Sequence, residues 1–342
     1  MPKPPASALQ IDPYQPERDR EQVEQLWLRV FGRAKGGQTP EWLFRPAPMC
    51  AAPRVVIRDD NQVIAHAGAM PVRLLAGDQQ LLAGWSVGAM TDPSWRGQGL
   101  FVRAGQALYQ YMDEQGFDLV GGFSNAQSAS LHVGPLQRTP VRPFPWCAKP
   151  LLPRHLGLRS LGTNWPLRLG VEISAVAPGD PRIDLIWQNR EKGKGITAVR
   201  DAAWTLWRYQ GRPDADYRLA VASVAGVPAA WIAVRALQVA KVPGFFIVDL
   251  QCTASGMAAA TQLLKSAEQM AASAGCVLAS ALLPGWGSLR SVLLRRAYVP
   301  VPERLHPQKI MLSVRALDAK VPWGDLGNPR QWWLAWSDTD VV

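Results

Sequence analysis

The chain has 342 residues, of which 48% are hydrophobic and 19% charged, a balance that excludes a disordered or fibrous protein and is large enough for two domains. No apolar run approaches the roughly 20 residues needed to span a bilayer, and Met1 to Ala8 has no apolar signal-peptide core. The net charge of +10 sits mostly in the second part, since residues 1–150 carry a net +2 and residues 151–342 a net +8.

A cytoplasmic protein is the expectation. Basic surface attracts polyanions, but no dense Lys/Arg run argues for nucleic acid. Cys50, Cys147, Cys252 and Cys276 are far apart, with no Cys-x-x-Cys pair. They read as reduced, mostly buried thiols. His66, His132, His155 and His306 are equally scattered, so no metal site can be read.

In chain order, residues 1–7 read as a disordered, proline-rich start. Leu9 to Ile11 is a short strand candidate. Glu17 to Phe31 has Val23, Leu26, Trp27 and Val30 at helical spacing, and Gly32 stops it. Three strands follow, Arg54 to Arg58, Gln62 to Leu75 with a bend at Pro71, and Gln79 to Met90. The turns between them, Asp59-Asp60-Asn61 and Ala76-Gly77-Asp78, make this an antiparallel meander. Phe101 to Gln115 is then helical and Gly116 caps it. Phe117 to Phe123 is a buried strand and Ser124 to His132 a second helix. A β-α-β unit of this kind implies parallel pairing at the join.

Residues 151–181 read as a linker. After it come helices at Ile183 to Gln188 and Ala202 to Tyr209, and a hairpin at Tyr217 to Val224 and Ala229 to Leu237. A strand, Phe245 to Gln251, and a helix, Gly256 to Ser273, follow. Last are a strand at Cys276 to Leu282, a helix at Leu289 to Arg296 and a strand at Lys309 to Val314. At an offset of 159 residues Gly97 falls on Gly256 and Gly116 on Gly275. The order of elements agrees as well, which marks a duplicated domain.

The strongest local signal is Val87-Gly88-Ala89-Met90-Thr91-Asp92-Pro93-Ser94-Trp95-Arg96-Gly97-Gln98-Gly99-Leu100-Phe101. A strand ends, Asp-Pro starts a turn, and a glycine-punctuated loop opens a helix. The first helical N–H groups lack intrahelical partners and sit at the positive end of the dipole. A diphosphate can take them up if no side chain blocks it. Gly97 and Gly99 supply that clearance, and Arg96 adds a cation.

These residues resemble the acyl-CoA-binding motif of the GNAT superfamily, Arg/Gln-x-x-Gly-x-Gly/Ala. Arg96 and Gly99 match its first and fourth positions. Phe101 departs from its sixth, and its side chain is expected to turn into the core with Ala104 and Leu108. The resemblance spans residues 8–150 in element order, while its specific motif covers only about ten residues. It implies an α/β, or α+β mixed-sheet, fold of two GNAT-like domains, each a mostly antiparallel mixed sheet flanked by helices. The implied ranges are 8–150 for the acetyltransferase domain, 182–316 for a degenerate second one, and 317–342 for a tail.

The resemblance further implies acetyl-CoA as co-substrate and a primary amine of a small molecule or glycan as acceptor. The expected cofactor-binding residues are Val87, Ala89, Met90, Arg96, Gly97, Gln98, Gly99, Leu100, Phe101 and Asn125. Two strands, Gly84 to Met90 and Phe117 to Phe123, would splay around the pantetheine arm. A backbone N–H at Ala89 or Met90 would polarise the thioester carbonyl. The family's Asn followed by a downstream Tyr falls on Asn125 and His132. His132 is therefore the candidate acid, with a carbonyl-capping role as its alternative. Ser124 stands at the end of a parallel strand, where ligands bind.

In the second half Ser255 and Ala258 replace Arg96 and Gly99, so no second acyl-CoA site is expected. The aromatic Trp204 to Tyr209 suits either interdomain packing or a sugar or amine face. Trp332, Trp333 and Trp336 would clamp the tail. Two other functions remain open at this level. One is a Fem-like aminoacyltransferase, which suits the basic second half but not an intact CoA loop. The other is a non-catalytic acyl-CoA sensor or scaffold. Oligomeric state is not legible.

Overall fold

A computed structural model describes residues 8–32, 40–151, 170–212, 215–239, 242–306, 310–319, 321 and 323–339. The expected disordered start, residues 1–7, and most of the expected linker, residues 152–169, lie outside the described residues.

The first half runs β1 (Gln10–Pro13), α1 (Pro16–Phe31), α2 (Pro40–Leu43), β2 (Arg54–Asp59), β3 (Gln62–Ala76), β4 (Gln79–Thr91), α3 (Leu100–Glu114), β5 (Leu119–Ser124), α4 (Ala129–Val133), β6 (Thr139–Val141) and β7 (Trp146–Pro150). The second runs β8 (Val171–Val176), α5 (Arg182–Gln188), β9 (Ile196–Ala198), α6 (Ala202–Tyr209), β10 (Arg218–Val224), β11 (Val227–Val239), β12 (Val242–Cys252), α7 (Met257–Ser273), β13 (Leu278–Leu282), α8 (Ser288–Arg295), β14 (Val299–Pro300), β15 (Met311–Ala316) and β16 (Trp332–Trp333).

Local chemistry accounts for the main elements. Helix α1 starts with Pro16 and has Glu17 and Asp19 in its first turn, where the dipole favours them. Its apolar stripe buries Val23, Leu26 and Trp27, and Gly32 at φ 70° ends it. Strand β3 is buried over almost its whole length because it has neighbours on both edges. It runs through Pro71 without a break, and its irregularity lies instead between His66 and Gly68. Helix α4 is shorter than the periodicity suggests. Asn125 Oδ1 accepts the amides of Gln127 and Ser128, both at 3.0 Å, and this turn delays the helix to Ala129. Ser124 consequently belongs to β5.

Among the described residues the strands form two mixed sheets. One has the order β1-β2-β3-β4-β5-β15-β6, with β9 and β16 attached beyond β3. The other has the order β8-β10-β11-β12-β13-β7-β14. Position by position the two orders are the same, so the duplication read from the 159-residue offset is a repeat of topology. Along each of these two orders one pair is parallel, β4 with β5 and β12 with β13, and the attached β16 also runs parallel to β9.

The expected ranges 8–150 and 182–316 do not separate the sheets. Strand β7, at the end of the first range, lies between β13 and β14 in the second sheet. Strand β15, at the end of the second, lies between β5 and β6 in the first. Each half lends the other the strand in the next-to-last place of its sheet. Strand β8, inside the expected linker, is the far edge of the second sheet.

One apolar core packs α3 against the first sheet, around Trp95, Leu108 and Met112. A second packs α7 and α8 against the other sheet. The largest lies between the sheets and includes Trp85, Trp204, Trp207, Trp231, Phe246, Trp332 and Trp336. The Trp204 to Tyr209 segment is therefore mostly buried packing. No helix among the described residues is long and apolar enough to cross a membrane.

Candidate active site

Strands β4 and β5 pair over Ala83–Leu119, Gly84–Val120 and Trp85–Gly121, and then part. From Ser86 onward β4 keeps β3 on one edge and, among the described residues, has no strand on the other. Residues Ser86, Val87, Gly88 and Ala89 are half-exposed there. The β3–β4 register slips opposite Gly88, which has φ 60°, so β4 bulges towards the gap at Gly88–Ala89.

His66 holds this bulge. Its Nδ1 lies 2.9 Å from the Gly88 carbonyl oxygen and its Nε2 accepts Arg54 Nε at 3.0 Å. Those two bonds assign the proton to Nδ1. Burial, and then the charge of Arg54, push the His66 pKa down to about 3.

Beyond β4, Asp92 caps a single 3-10 turn, Pro93–Trp95, by accepting Ser94 N at 3.0 Å and Ser94 Oγ at 2.8 Å. Burial opposes ionisation of Asp92, but hydrogen bonds from Ser94 and Arg29 hold its carboxyl below the usual range. Trp95 is buried against the α3 core and anchors the turn. The chain then rises through Arg96, Gly97 and Gly99 into α3. Gly97 and Gly99 have φ 80° and 74°, and no atom stands within 4 Å of where a side chain would begin at either. The amides of Gly97, Gln98, Gly99, Leu100 and Phe101 donate to no protein acceptor among the described residues. Arg96 is exposed beside them, with no ion-pair partner among the described residues. Five bare amides, one free cation and an open approach form a cradle for a diphosphate.

Phe101 does not close this cradle. It packs against the α3 core and meets the ring of His132 edge-on, 5.4 Å between centroids. Asn125 spends its Oδ1 on the turn before α4, leaving its amide nitrogen for a ligand. Ser124 is buried and its Oγ has no partner.

His132 is also buried, and its Nδ1 is unpartnered. Burial, then the charge of Arg138, lower its pKa to about 3. Burial and the neighbouring charge hold the ring in its neutral form.

These two histidines give a stability prediction. Both have folded pKa values near 3 against an ordinary 6.5. In that window the unfolded chain binds protons that the folded chain does not, so stability falls as pH drops from 6.5 towards 3. The two groups together contribute a slope approaching ~2.7 kcal/mol per pH unit. Urea unfolding in steps from pH 7 to 4 measures it, and His132→Gln should remove about half of their share. An unchanged slope in that variant would contradict a buried neutral ring.

Where β5 ends, a cavity of about 440 Å³ opens towards the second half. Ser124, Asn125, Arg142 and Phe144 line one side, and Glu303, Arg304, His306 and Met311 the other. Glu303 Oε1 accepts Phe144 N at 3.2 Å and so ties the two sides together. Sequence reasoning missed Arg142, Glu303 and Met311, because only the strand exchange brings Glu303 and Met311 to the end of β5.

The equivalent loop of the second half is closed. Gly256 is folded onto the Ala229 carbonyl, leaving no room for a side chain, and Ala254 N donates to Asn189 O at 2.8 Å. The second gap, beyond the Phe246–Ser280 rung, is covered by the tail. Trp336 Nε1 donates to Ser280 Oγ at 3.2 Å, and Ser337 Oγ donates to Asp249 at 2.7 Å. Arg200 secures that tail, bonding Asp249 at 2.9 Å and Asp338 at 2.5 Å.

Residues 10–129 match the family model described as an acetyltransferase (GNAT) domain. These matched residues form a GNAT-type domain. The cradle and the parted strands both belong to this domain, and the second sheet repeats its strand order. No curated protein matches the chain. Several solved structures share the fold of the chain. An Enterococcus faecalis V583 protein described as a probable N-acyltransferase has a TM-score of 0.63 at 14% identity, over 91% of this chain and 73% of its own. Eis1 from Mycobacterium abscessus has 0.61 at 10%, over 92% and 74%. Saccharomyces cerevisiae N-myristoyltransferase with bound myristoyl-CoA has 0.53 at 11%, over 92% and 83%.

Proposed function

We propose that the chain transfers an acyl group from acyl-CoA to a primary amine of a small molecule or glycan, with acetyl-CoA as the simplest donor. The observation that carries this reading is the row of bare amides from Gly97 to Phe101 beside an unpaired β4 edge. The diphosphate of CoA takes up the amides and meets Arg96. The pantetheine arm then follows the free edge of β4, where its amides replace the missing strand. This course brings the thioester to the bulge at Gly88–Ala89, where a main-chain N–H polarises its carbonyl.

The amine enters through the cavity at the end of β5. Its nitrogen attacks the thioester carbon, the N–C bond forms, and the C–S bond breaks. Glu303 is the carboxylate of that cavity and draws the incoming ammonium. The protons that the attacking nitrogen sheds leave through water reaching the cavity, and the departing thiolate gains one by the same route. A cytoplasmic setting, where acyl-CoA is held, suits this reaction.

Release of free CoA thiol from acyl-CoA, measured against a panel of sugar amines, aminoglycosides, polyamines and peptides, tests the reading. At least one amine should raise thiol release well above the rate in buffer, with no sensitivity to ribonuclease. Binding of CoA with no transfer to any amine would leave a sensor in place of an enzyme.

A further inference from the structure

The second half contains a buried carboxylate between two cations. Glu268 of α7 is 4% exposed. Lys149 Nζ of β7 lies 2.7 Å from its Oε2, and Arg296, just after α8, pairs with the same oxygen. The first half repeats this arrangement with one change. On β15, Arg315 faces Val120 of β5, as Lys149 of β7 faces Ala279 of β13. Arg138 follows α4 as Arg296 follows α8. Tyr109 stands on α3 where Glu268 stands on α7, at the same 159-residue offset. The cations are kept, and the carboxylate has become a phenol. Burial raises the Tyr109 pKa, so it supplies no charge.

Arg138 is therefore a guanidinium that is 2% exposed and has no ion-pair partner among the described residues. Its Nε donates to Tyr109 Oη at 2.5 Å and its Nη2 to Ser86 Oγ at 2.7 Å. Its Nη1 has no acceptor among the described residues. That nitrogen lies 3.2 Å from the point where a side chain on Gly122 would begin. Ser86 and Gly122 are the first residues of β4 and β5 beyond their last paired rung. The orphaned N–H thus stands at the closed end of the gap. Ser313 Oγ, on the residue paired with Gly122, is buried there without a partner too. A buried charge is tolerated when something pairs with it, and here the fold withholds the partner that its own duplicate provides.

We propose that this site selects an acyl-CoA whose acyl chain ends in a carboxylate, a short dicarboxylic acyl group such as malonyl, succinyl or glutaryl, and that Arg138 binds that carboxylate. This rests on the reading that acyl-CoA lies along β4. With the thioester at Gly88–Ala89, Ser86 is two residues back, or ~7 Å of strand. A short dicarboxylic chain reaches across that distance, and an acetyl group does not. The transfer itself is unchanged. The amine nitrogen displaces the thiolate, one proton leaves the nitrogen and one joins the sulfur, and the product amide keeps a free carboxylate.

Titration calorimetry of succinyl-CoA, acetyl-CoA and CoA against the full chain tests this without an acceptor. Wild type should bind succinyl-CoA at least tenfold more tightly than acetyl-CoA. Arg138→Gln should bring that ratio close to one, and Arg138→Lys should keep part of it. A ratio near one in wild type, or a ratio unchanged in Arg138→Gln, overturns the proposal while CoA binding leaves the acyltransferase reading standing. Should none of the three bind, that reading falls and this one with it. If Arg138→Gln does not fold, the wild-type ratio and the lysine variant still decide.

Discussion

Gly99→Glu is expected to weaken CoA binding by more than 100-fold, about 2.7 kcal/mol or more, while the protein stays folded. Gly99 is the residue from which α3 starts, and its backbone is in the left-handed region at φ 74°. A side chain there costs roughly 1–2 kcal/mol of local strain. It meets no protein atom within 4 Å, so nothing in the core has to move. It does enter the space left for the diphosphate and sets a carboxylate against the phosphates in front of the same bare amides. Gly116→Glu supplies the control. Gly116 has φ 77° and equally open surroundings, but it lies at the other end of α3. Calorimetry with CoA, alongside thermal unfolding of both variants, separates strain from site. Equal CoA affinity in the two would remove the cradle from the mechanism.

Glu268→Leu is expected to destabilise the chain by about 3–5 kcal/mol, because it leaves two buried cations without their carboxylate. Lys149 is 1% exposed and Arg296 7%. Lys149 also belongs to β7, the strand lent by the first half, so the loss loosens the join between the halves as well as the second sheet. Urea unfolding reads the effect. Adding Lys149→Met to Glu268→Leu should recover part of the loss by removing one of the unpaired charges. A loss below about 1 kcal/mol, the scale of exposed pairs, would mean that water reaches this cluster.

The strand-turn-helix from β4 to α3 was legible because its signals are local. Asp92 and Ser94 cap their own turn, Trp95 anchors it, and glycines occupy the positions where φ is positive. Elements with strong periodicity, such as α1, α3, β3 and α7, came within a few residues of their observed ends. The short strands β6, β7, β9 and β16 carry too few residues for a period to show. Helix α4 was overextended because Asn125 reads as an ordinary helical residue until its side chain is seen closing a turn.

Arg138 had a signal that was not used. Laying Tyr109 on Glu268 at the known offset would have exposed a carboxylate lost between conserved cation positions of the two halves. Sequence spacing placed His132 on α4 but did not fix its charge state. Its burial against Phe101 and its nearness to Arg138 set its charge state instead.

The sequence by itself determined that the chain is a duplicated α/β protein with one open anion loop and one lost one. Those properties depend on residues adjacent in the chain, where spacing and glycine placement are direct physical constraints. Only the tertiary structure decided that the halves trade strands, that the tail covers the second gap, and that Glu303, His306 and Met311 line a cavity with Ser124. Backbone pairing between strands is indifferent to which part of the chain provides them. A partner more than a hundred residues away therefore leaves no periodic mark to be read.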